Sequence, residues 1–102
     1  MKLLIANGHL IDPAAPENTG MSVLVEDGKV AGWLRPGEAA PTDAEVFDAA
    51  GLLVAPGFID MHVHLREPGQ EHKETIATGV LSAVTGGFTA VACMPNTKPV
   101  ND

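Results

Sequence analysis

Two strand-like segments separated by a helical segment constrain most strongly what this chain can fold into. Residues 58–66 alternate between polar and apolar side chains, as a strand with one apolar face does. From residue 73 to residue 85 the apolar side chains recur at helical spacing, and Gly86-Gly87 predicts the end of that helix. Residues 89–94 are almost wholly apolar and predict a second, fully buried strand. Because strand–helix–strand order favours parallel pairing, residues 55–102 are predicted to form a βαβ unit.

The first half of the chain, residues 1–54, has the pattern of a small β-rich domain. Asp27-Gly28 lies between β-rich runs at residues 22–26 and 29–34, and this dipeptide favours a hairpin turn with two positive φ angles. Loops rich in Pro and Gly separate further predicted strands at residues 3–5, 46–48 and 52–54. The predicted fold class is therefore α/β, with β structure first and the βαβ unit second.

Composition excludes several classes of partner. The formal net charge is −7 and aromatic residues are only 4% of the chain, which argues against a nucleic-acid-binding surface. No apolar run approaches the ~20 residues of a membrane span, and the N-terminus does not have the pattern of a signal peptide. A single cysteine, Cys93, cannot form an internal disulfide. Together these features predict a cytoplasmic protein.

The segment Asp60-Met61-His62-Val63-His64-Leu65-Arg66 carries the candidate chemistry. His62 and His64 are two residues apart on the predicted strand, so both imidazoles point to the same face. Two imidazoles on one face suit a zinc ion, whose nitrogen ligands lie at about 2.0–2.1 Å. The pair lies near the end of the strand, just before a polar loop, which is where active sites form in parallel α/β barrels.

Three further polar residues have open interpretations. The guanidinium of Arg66 suits bidentate binding of a substrate carboxylate, and the alternative is a salt bridge to a neighbouring glutamate, Glu67 or Glu71. Asn96 either hydrogen-bonds a substrate or caps the turn that follows it. Asp60 is expected to lie deeper, beneath the histidines, in a supporting or a structural role.

The stretch Pro56-Gly57-Phe58-Ile59-Asp60-Met61-His62-Val63-His64-Leu65-Arg66-Glu67-Pro68-Gly69 resembles the amidohydrolase signature in its dihydroorotase form. The segments Glu71-His72-Lys73-Glu74-Thr75-Ile76, Gly86-Gly87-Phe88-Thr89 and Met94-Pro95-Asn96-Thr97-Lys98-Pro99 resemble later parts of the same pattern. The HxH pair alone is typical of the whole superfamily, whereas the Arg-Glu-Pro-Gly and Met-Pro-Asn-Thr segments are typical of dihydroorotases. The resemblance is close over residues 55–102 and looser over residues 1–54.

The resemblance implies a fold and a set of site residues. Residues 1–54 would be the N-terminal part of a β-sandwich, and residues 55–102 the first βαβ portion of a (β/α)₈ barrel. Such a barrel takes roughly 250 residues, so this chain would be the N-terminal part of a larger enzyme and inactive alone. His62 and His64 would bind zinc, while His64, Leu65, Arg66 and Asn96 would bind the substrate. The resemblance places the acid–base aspartate and the remaining metal ligands beyond residue 102, so no catalytic residue is assigned within this chain.

The implied reaction is the reversible cyclisation of N-carbamoyl-L-aspartate to L-dihydroorotate in pyrimidine synthesis, with one or two zinc ions. A small-molecule substrate, a homo-oligomer and, in some relatives, an association with aspartate transcarbamoylase are implied as well. The alternatives are another cyclic-amide hydrolase, of allantoinase or dihydropyrimidinase type, and a non-catalytic scaffold subunit related to dihydroorotase. A self-standing β-rich binding module would leave the polar face of residues 58–66 unexplained.

Overall fold

A computed structural model describes residues 1–100, which form two compact units, Met1–Pro56 and a second that begins at Gly57. The chain has mixed α/β structure in which strands predominate. The strands are β1 (Lys2–Ala6), β2 (His9–Leu10), β3 (Ser22–Glu26), β4 (Lys29–Leu34), β5 (Glu45–Asp48), β6 (Leu53–Val54), β7 (Phe58–Val63) and β8 (Phe88–Cys93). The helix is α1 (Ile76–Thr85). Among residues 1–100, no helix is long and apolar enough to cross a membrane.

The first unit is built on a four-stranded sheet in the order β4-β3-β1-β5. Strands β1 and β5 are parallel, whereas β3 is antiparallel to both β1 and β4. The predicted hairpin is confirmed, because Asp27 (φ 51°) and Gly28 (φ 79°) both have positive φ between paired β3 and β4. The strand β2, which pairs with β6, was not predicted, since a two-residue strand has no detectable period.

The small core of the first unit draws on both of its sheets. Its buried apolar side chains are Leu4, Ala6, Leu10, Val23 and Ala49. Gly8 connects β1 to β2 at a point where the chain passes close to β6. A Cβ placed on Gly8 would overlap the Val54 side chain and lie 3.1 Å from the Cβ of Ala49. Glycine is therefore required at this position by a close approach of side chains.

The second unit is the predicted βαβ arrangement, with β7 and β8 paired in parallel. The helix begins three residues later than residue 73, because Thr75 caps it: the Thr75 hydroxyl accepts a hydrogen bond from the backbone N–H of Thr78 at 3.2 Å. It ends at the expected place, where Gly87 adopts a φ of 87°. The prediction that the second strand is fully buried is wrong, since three of the six residues of β8 are exposed.

We expect Gly8→Ala to destabilise the first unit, because the added methyl group overlaps Val54 and overpacking costs about 1–3 kcal/mol. The measurement is the thermal melting midpoint of the complete protein that contains this sequence. Gly20→Ala is the matched control, because nothing lies within 4 Å of a Cβ at Gly20. Equal midpoints for the two variants would contradict the packing described around Gly8.

Candidate metal centre and substrate-binding loops

Strand β7 contains one residue more than its partner at the position of the two histidines. Asp60 pairs with Val91 and Val63 pairs with Cys93, so Met61 and His62 together face a single residue of β8. Such a β-bulge interrupts the alternation of side chains, since one added residue reverses every later position. The interruption explains why Asp60 and Val63 line the same cavity, of about 270 Å³, between this sheet and α1.

The carboxylate of Asp60 stabilises the bulge. Asp60 Oδ1 accepts a hydrogen bond from the backbone N–H of His62 at 3.0 Å. At a bulge the extra residue has no partner in the ladder, so a side-chain acceptor replaces the missing carbonyl. Asp60 therefore acts on the backbone that carries His62, which agrees with the supporting role expected for it from the sequence.

The structure brings the rings of His62 and His64 together, with centroids 5.2 Å apart and planes inclined at 65°. If each ring centroid stood about 3.2 Å from a tetrahedral zinc ion, the two centroids would be about 5.2 Å apart. The observed centroid separation therefore equals the one that a shared tetrahedral ion would require. Within residues 1–100, no third His, Cys, Asp or Glu lies close enough to complete a three-ligand set.

Asn96 lies beside this histidine pair. Its Oδ1 is 2.9 Å from Nδ1 of His64, although the two residues are 32 positions apart in sequence. The loop that carries Asn96 is held against the end of β7, where the Met94 N–H donates to the Val63 carbonyl at 2.8 Å. The sequence predicted that Asn96 would reach the rim of the histidine site, and in the structure Asn96 contacts His64 itself.

Arg66 does not continue the strand as the alternating pattern predicts. Strand β7 ends at Val63, and Arg66 adopts a φ of 65°, in the left-handed region that terminates an extended segment. Its carbonyl accepts a hydrogen bond from the N–H of Gln70 at 2.9 Å, which closes the loop that follows. The prediction that one strand face runs from Phe58 to Arg66 is therefore wrong.

The glutamates near Arg66 bind backbone groups instead of its guanidinium. Glu67 Oε2 accepts a hydrogen bond from the N–H of Ile76, the first residue of α1, at 2.6 Å. The N–H of Gly69 donates to Glu71 Oε1 at 3.0 Å, and this bond lowers the pKa of that carboxyl by stabilising its ionised form. In the part of the chain that the structure describes, no salt bridge joins Arg66 to Glu67 or Glu71.

The loop that carries Arg66 is joined to the loop that carries Asn96. The N–H of Lys98 donates to the carbonyl of Pro68 at 2.9 Å. Gly69, with a φ of 111°, lies against Lys98 so closely that a Cβ would be 2.7 Å from the Lys98 Cβ. From the sequence, Glu67 was considered only as an alternative salt-bridge partner of Arg66, and Gly69 only as part of the Pro68-Gly69 turn signal.

Three other side chains of this unit are those of Leu65, which the resemblance places beside the substrate, and of Cys93 and His72, for which no function is predicted. Leu65 packs toward α1, with its Cδ2 2.6 Å from where a Cβ on Gly79 would stand. The structure therefore places its side chain between sheet and helix. Cys93 donates from Sγ to the Met94 carbonyl at 3.3 Å, and His72 is exposed.

We expect Asp60→Ala to weaken zinc binding by about 10–100-fold in the complete protein, as loss of a supporting hydrogen bond commonly does. Asp60→Asn, whose amide oxygen still accepts the His62 N–H, should keep most of the affinity. Competition with a chromophoric chelator measures the zinc affinity of both variants. Zinc affinity unchanged in Asp60→Ala would contradict the role assigned to this carboxylate.

The chain is similar in sequence to known proteins along its whole length. The family model described as dihydro-orotase-like matches residues 51–102. A dihydroorotase of Solibacter usitatus is 58% identical and one of Geobacter sulfurreducens is 59% identical over 102 residues. Both alignments cover all of this chain, which spans about a quarter of those relatives, 23% and 24% of their length respectively.

Solved structures of cyclic-amide hydrolases have the same fold over this length. The L-hydantoinase (dihydropyrimidinase) of Arthrobacter aurescens aligns with a TM-score of 0.77 and 28% identity, covering 96% of this chain and 21% of its own. A D-hydantoinase aligns with a TM-score of 0.75 and 32% identity, covering 93% of this chain and 20% of its own. From the family match and these likenesses together, the chain belongs to the dihydro-orotase-like family.

Proposed function

We propose that this chain is the N-terminal part of a dihydroorotase, which interconverts N-carbamoyl-L-aspartate and L-dihydroorotate in pyrimidine synthesis. The observation that carries the proposal is the paired imidazoles of His62 and His64, with Arg66 two residues further on and free of a carboxylate partner in the described chain. A metal-binding pair next to an available guanidinium suits a cyclic amide that bears a carboxylate. The dihydroorotases at 58% and 59% identity support the same assignment.

In this proposal His62 and His64 hold zinc, and Arg66 and Asn96 bind the substrate carboxylate. His64 and the backbone around Leu65 border the bound substrate. When bound, zinc lowers the pKa of a coordinated water to about 7 and polarises the amide carbonyl. In the hydrolytic direction, a water oxygen adds to the ring carbonyl carbon, the ring C–N bond breaks, and the nitrogen takes up a proton.

Completion of the site requires residues from other parts of the enzyme. A catalytic zinc site commonly has three protein ligands and an open position, and the described residues supply two. We place the further ligands, one or two zinc ions and the acid–base aspartate in a (β/α)₈ barrel that begins with the βαβ unit of residues 55–102. Residues 1–54 would belong to an accompanying β-sandwich.

The exposed apolar side chains of the second unit support the barrel proposal. Met61 is 77% exposed on β7, and Leu81 and Val84 are 67% and 63% exposed on α1. A two-stranded sheet with one helix leaves both strand edges unpaired, and neighbouring βα units would cover edges and apolar faces alike. We further propose a cytoplasmic homo-oligomer that acts on this small molecule, with aspartate transcarbamoylase as its partner enzyme.

A hydantoinase-type activity is the second candidate, and the TM-score of 0.77 to an L-hydantoinase favours it. The two candidates differ at the substrate: dihydroorotate carries a carboxylate on its ring, whereas a simple cyclic ureide does not. An arginine positioned to bind that carboxylate is needed only in the first case. A scaffold subunit without catalysis has no use for the histidine pair, which disfavours it.

We expect Arg66→Ala in the complete protein to lower kcat/KM for dihydroorotate by about 100-fold or more, about 2.7 kcal/mol of transition-state binding, because the bound carboxylate loses its charged partner. Arg35→Ala, in the first unit, is the matched control and should keep the parent value. An Arg66→Ala enzyme with undiminished kcat/KM would point to the hydantoinase-type candidate.

We expect the complete protein to retain about one zinc ion per chain or more after purification. His62→Ala should lose bound metal because one imidazole ligand is removed, whereas His9→Ala, at an exposed position of β2, should retain it. Elemental analysis of the dialysed proteins measures the zinc content per chain. A parent protein that purifies without stoichiometric metal would support the scaffold alternative.

A further inference from the structure

We propose that Asn96 is a positioning residue that fixes the tautomer of His64, so that the imidazole offers its Nε2 lone pair to the metal. The proposal rests on the proposed function only in taking the histidine pair as the metal site. It gives Asn96 a second task besides the binding of substrate carboxylate. The same side chain would then join the metal ligand to the substrate.

The chemistry of the contact favours one tautomer of His64. Asn96 Oδ1 is a carbonyl oxygen, which accepts hydrogen bonds and cannot donate them. A hydrogen bond between this oxygen and Nδ1 of His64, 2.9 Å away, requires the proton to be on Nδ1. A neutral imidazole has one protonated nitrogen, so Nε2 keeps its lone pair. Metal-binding histidines commonly donate their second N–H to an oxygen acceptor in this way, which orients the ring and raises its basicity.

The backbone on both sides of Asn96 is held in place, so the acceptor is preorganised. On the N-terminal side, the Met94 N–H is bonded to the carbonyl of Val63, the residue before His64. On the C-terminal side, Thr97 is only 6% exposed and its hydroxyl donates to the Pro99 carbonyl at 2.8 Å. The Lys98 N–H is bonded to Pro68 in the loop of Arg66. Asn96 is thus tied both to the strand of the histidines and to the loop of the arginine.

The other end of the amide remains available. Oδ1 of Asn96 is engaged by His64, and no hydrogen bond of its Nδ2 occurs within residues 1–100. Nδ2 can donate two hydrogen bonds and no carboxylate in the described chain takes them. One amide could therefore donate to a substrate carboxylate through nitrogen while it accepts from His64 through oxygen, so each interaction polarises the other.

The test separates the two ends of the amide by substitution in the complete protein. Asn96→Ala removes both the acceptor and the donor, whereas Asn96→Asp keeps an acceptor for His64 and places a negative charge where the substrate carboxylate binds. Zinc affinity of the metal-free proteins is measured by chelator competition, and KM and kcat for dihydroorotate are measured at saturating zinc. Asn18→Ala, in the first unit, is the control for an asparagine far from the site.

We expect Asn96→Ala to bind zinc about 10–100-fold more weakly, and Asn96→Asp to bind it within about threefold of the parent protein. Asn96→Asp should nevertheless show a KM for dihydroorotate raised at least about tenfold, because two carboxylates then face each other. Parent-like zinc affinity in Asn96→Ala would overturn the proposal, and so would an Asn96→Asp protein that loses zinc as Asn96→Ala does.

Nitrogen-15 spectra of the unsubstituted, metal-free protein test the tautomer without any variant. A neutral His64 with the proton on Nδ1 supports the proposal, and a proton on Nε2 overturns it. If the parent protein binds zinc but does not turn over dihydroorotate, the proposed function fails while the zinc affinities and the tautomer still decide the role of Asn96.

Discussion

The hydrogen bond from the His62 backbone N–H to the Asp60 carboxylate is the interaction on which the candidate site depends. It lies where two residues of β7 face one residue of β8, and it gives the His62 N–H an acceptor from within the same strand. The bulge and its carboxylate therefore fix the backbone from which His62 and His64 reach one another.

The positions of the candidate substrate-binding residues, Arg66 and Asn96, depend on a second constraint. This constraint is the junction of the two loops that follow the parallel strands. Each loop follows the carboxyl end of its strand, so parallel pairing brings both to the same edge of the sheet. The Lys98–Pro68 hydrogen bond and the close approach of Gly69 to Lys98 then hold the loops together. Glu67 adds a connection to the start of α1. Arg66 and Asn96 are thus presented from a common loop assembly and not from separate flexible segments.

Local signals in the sequence were sufficient for much of this fold. The Asp27-Gly28 turn and the stop at Gly86-Gly87 depend on positive φ angles at Asp27, Gly28 and Gly87, which these residue types tolerate, so both were predictable. The start of α1 was predicted three residues too early, because its cap combines Thr75 with a glutamate nine residues before Ile76. The bulge depends on the register with β8, which no single-strand pattern contains. The contact of Asn96 with His64 joins residues 32 positions apart and arises only from the tertiary fold.

Anomalous diffraction at the zinc absorption edge, from crystals of the complete protein, would show whether His62 and His64 bind one metal ion. We expect one zinc position within about 2.0–2.1 Å of a ring nitrogen of both His62 and His64, with the N–H of His62 still bonded to Asp60. A zinc ion held by other residues, with both of these imidazoles unliganded, would contradict it.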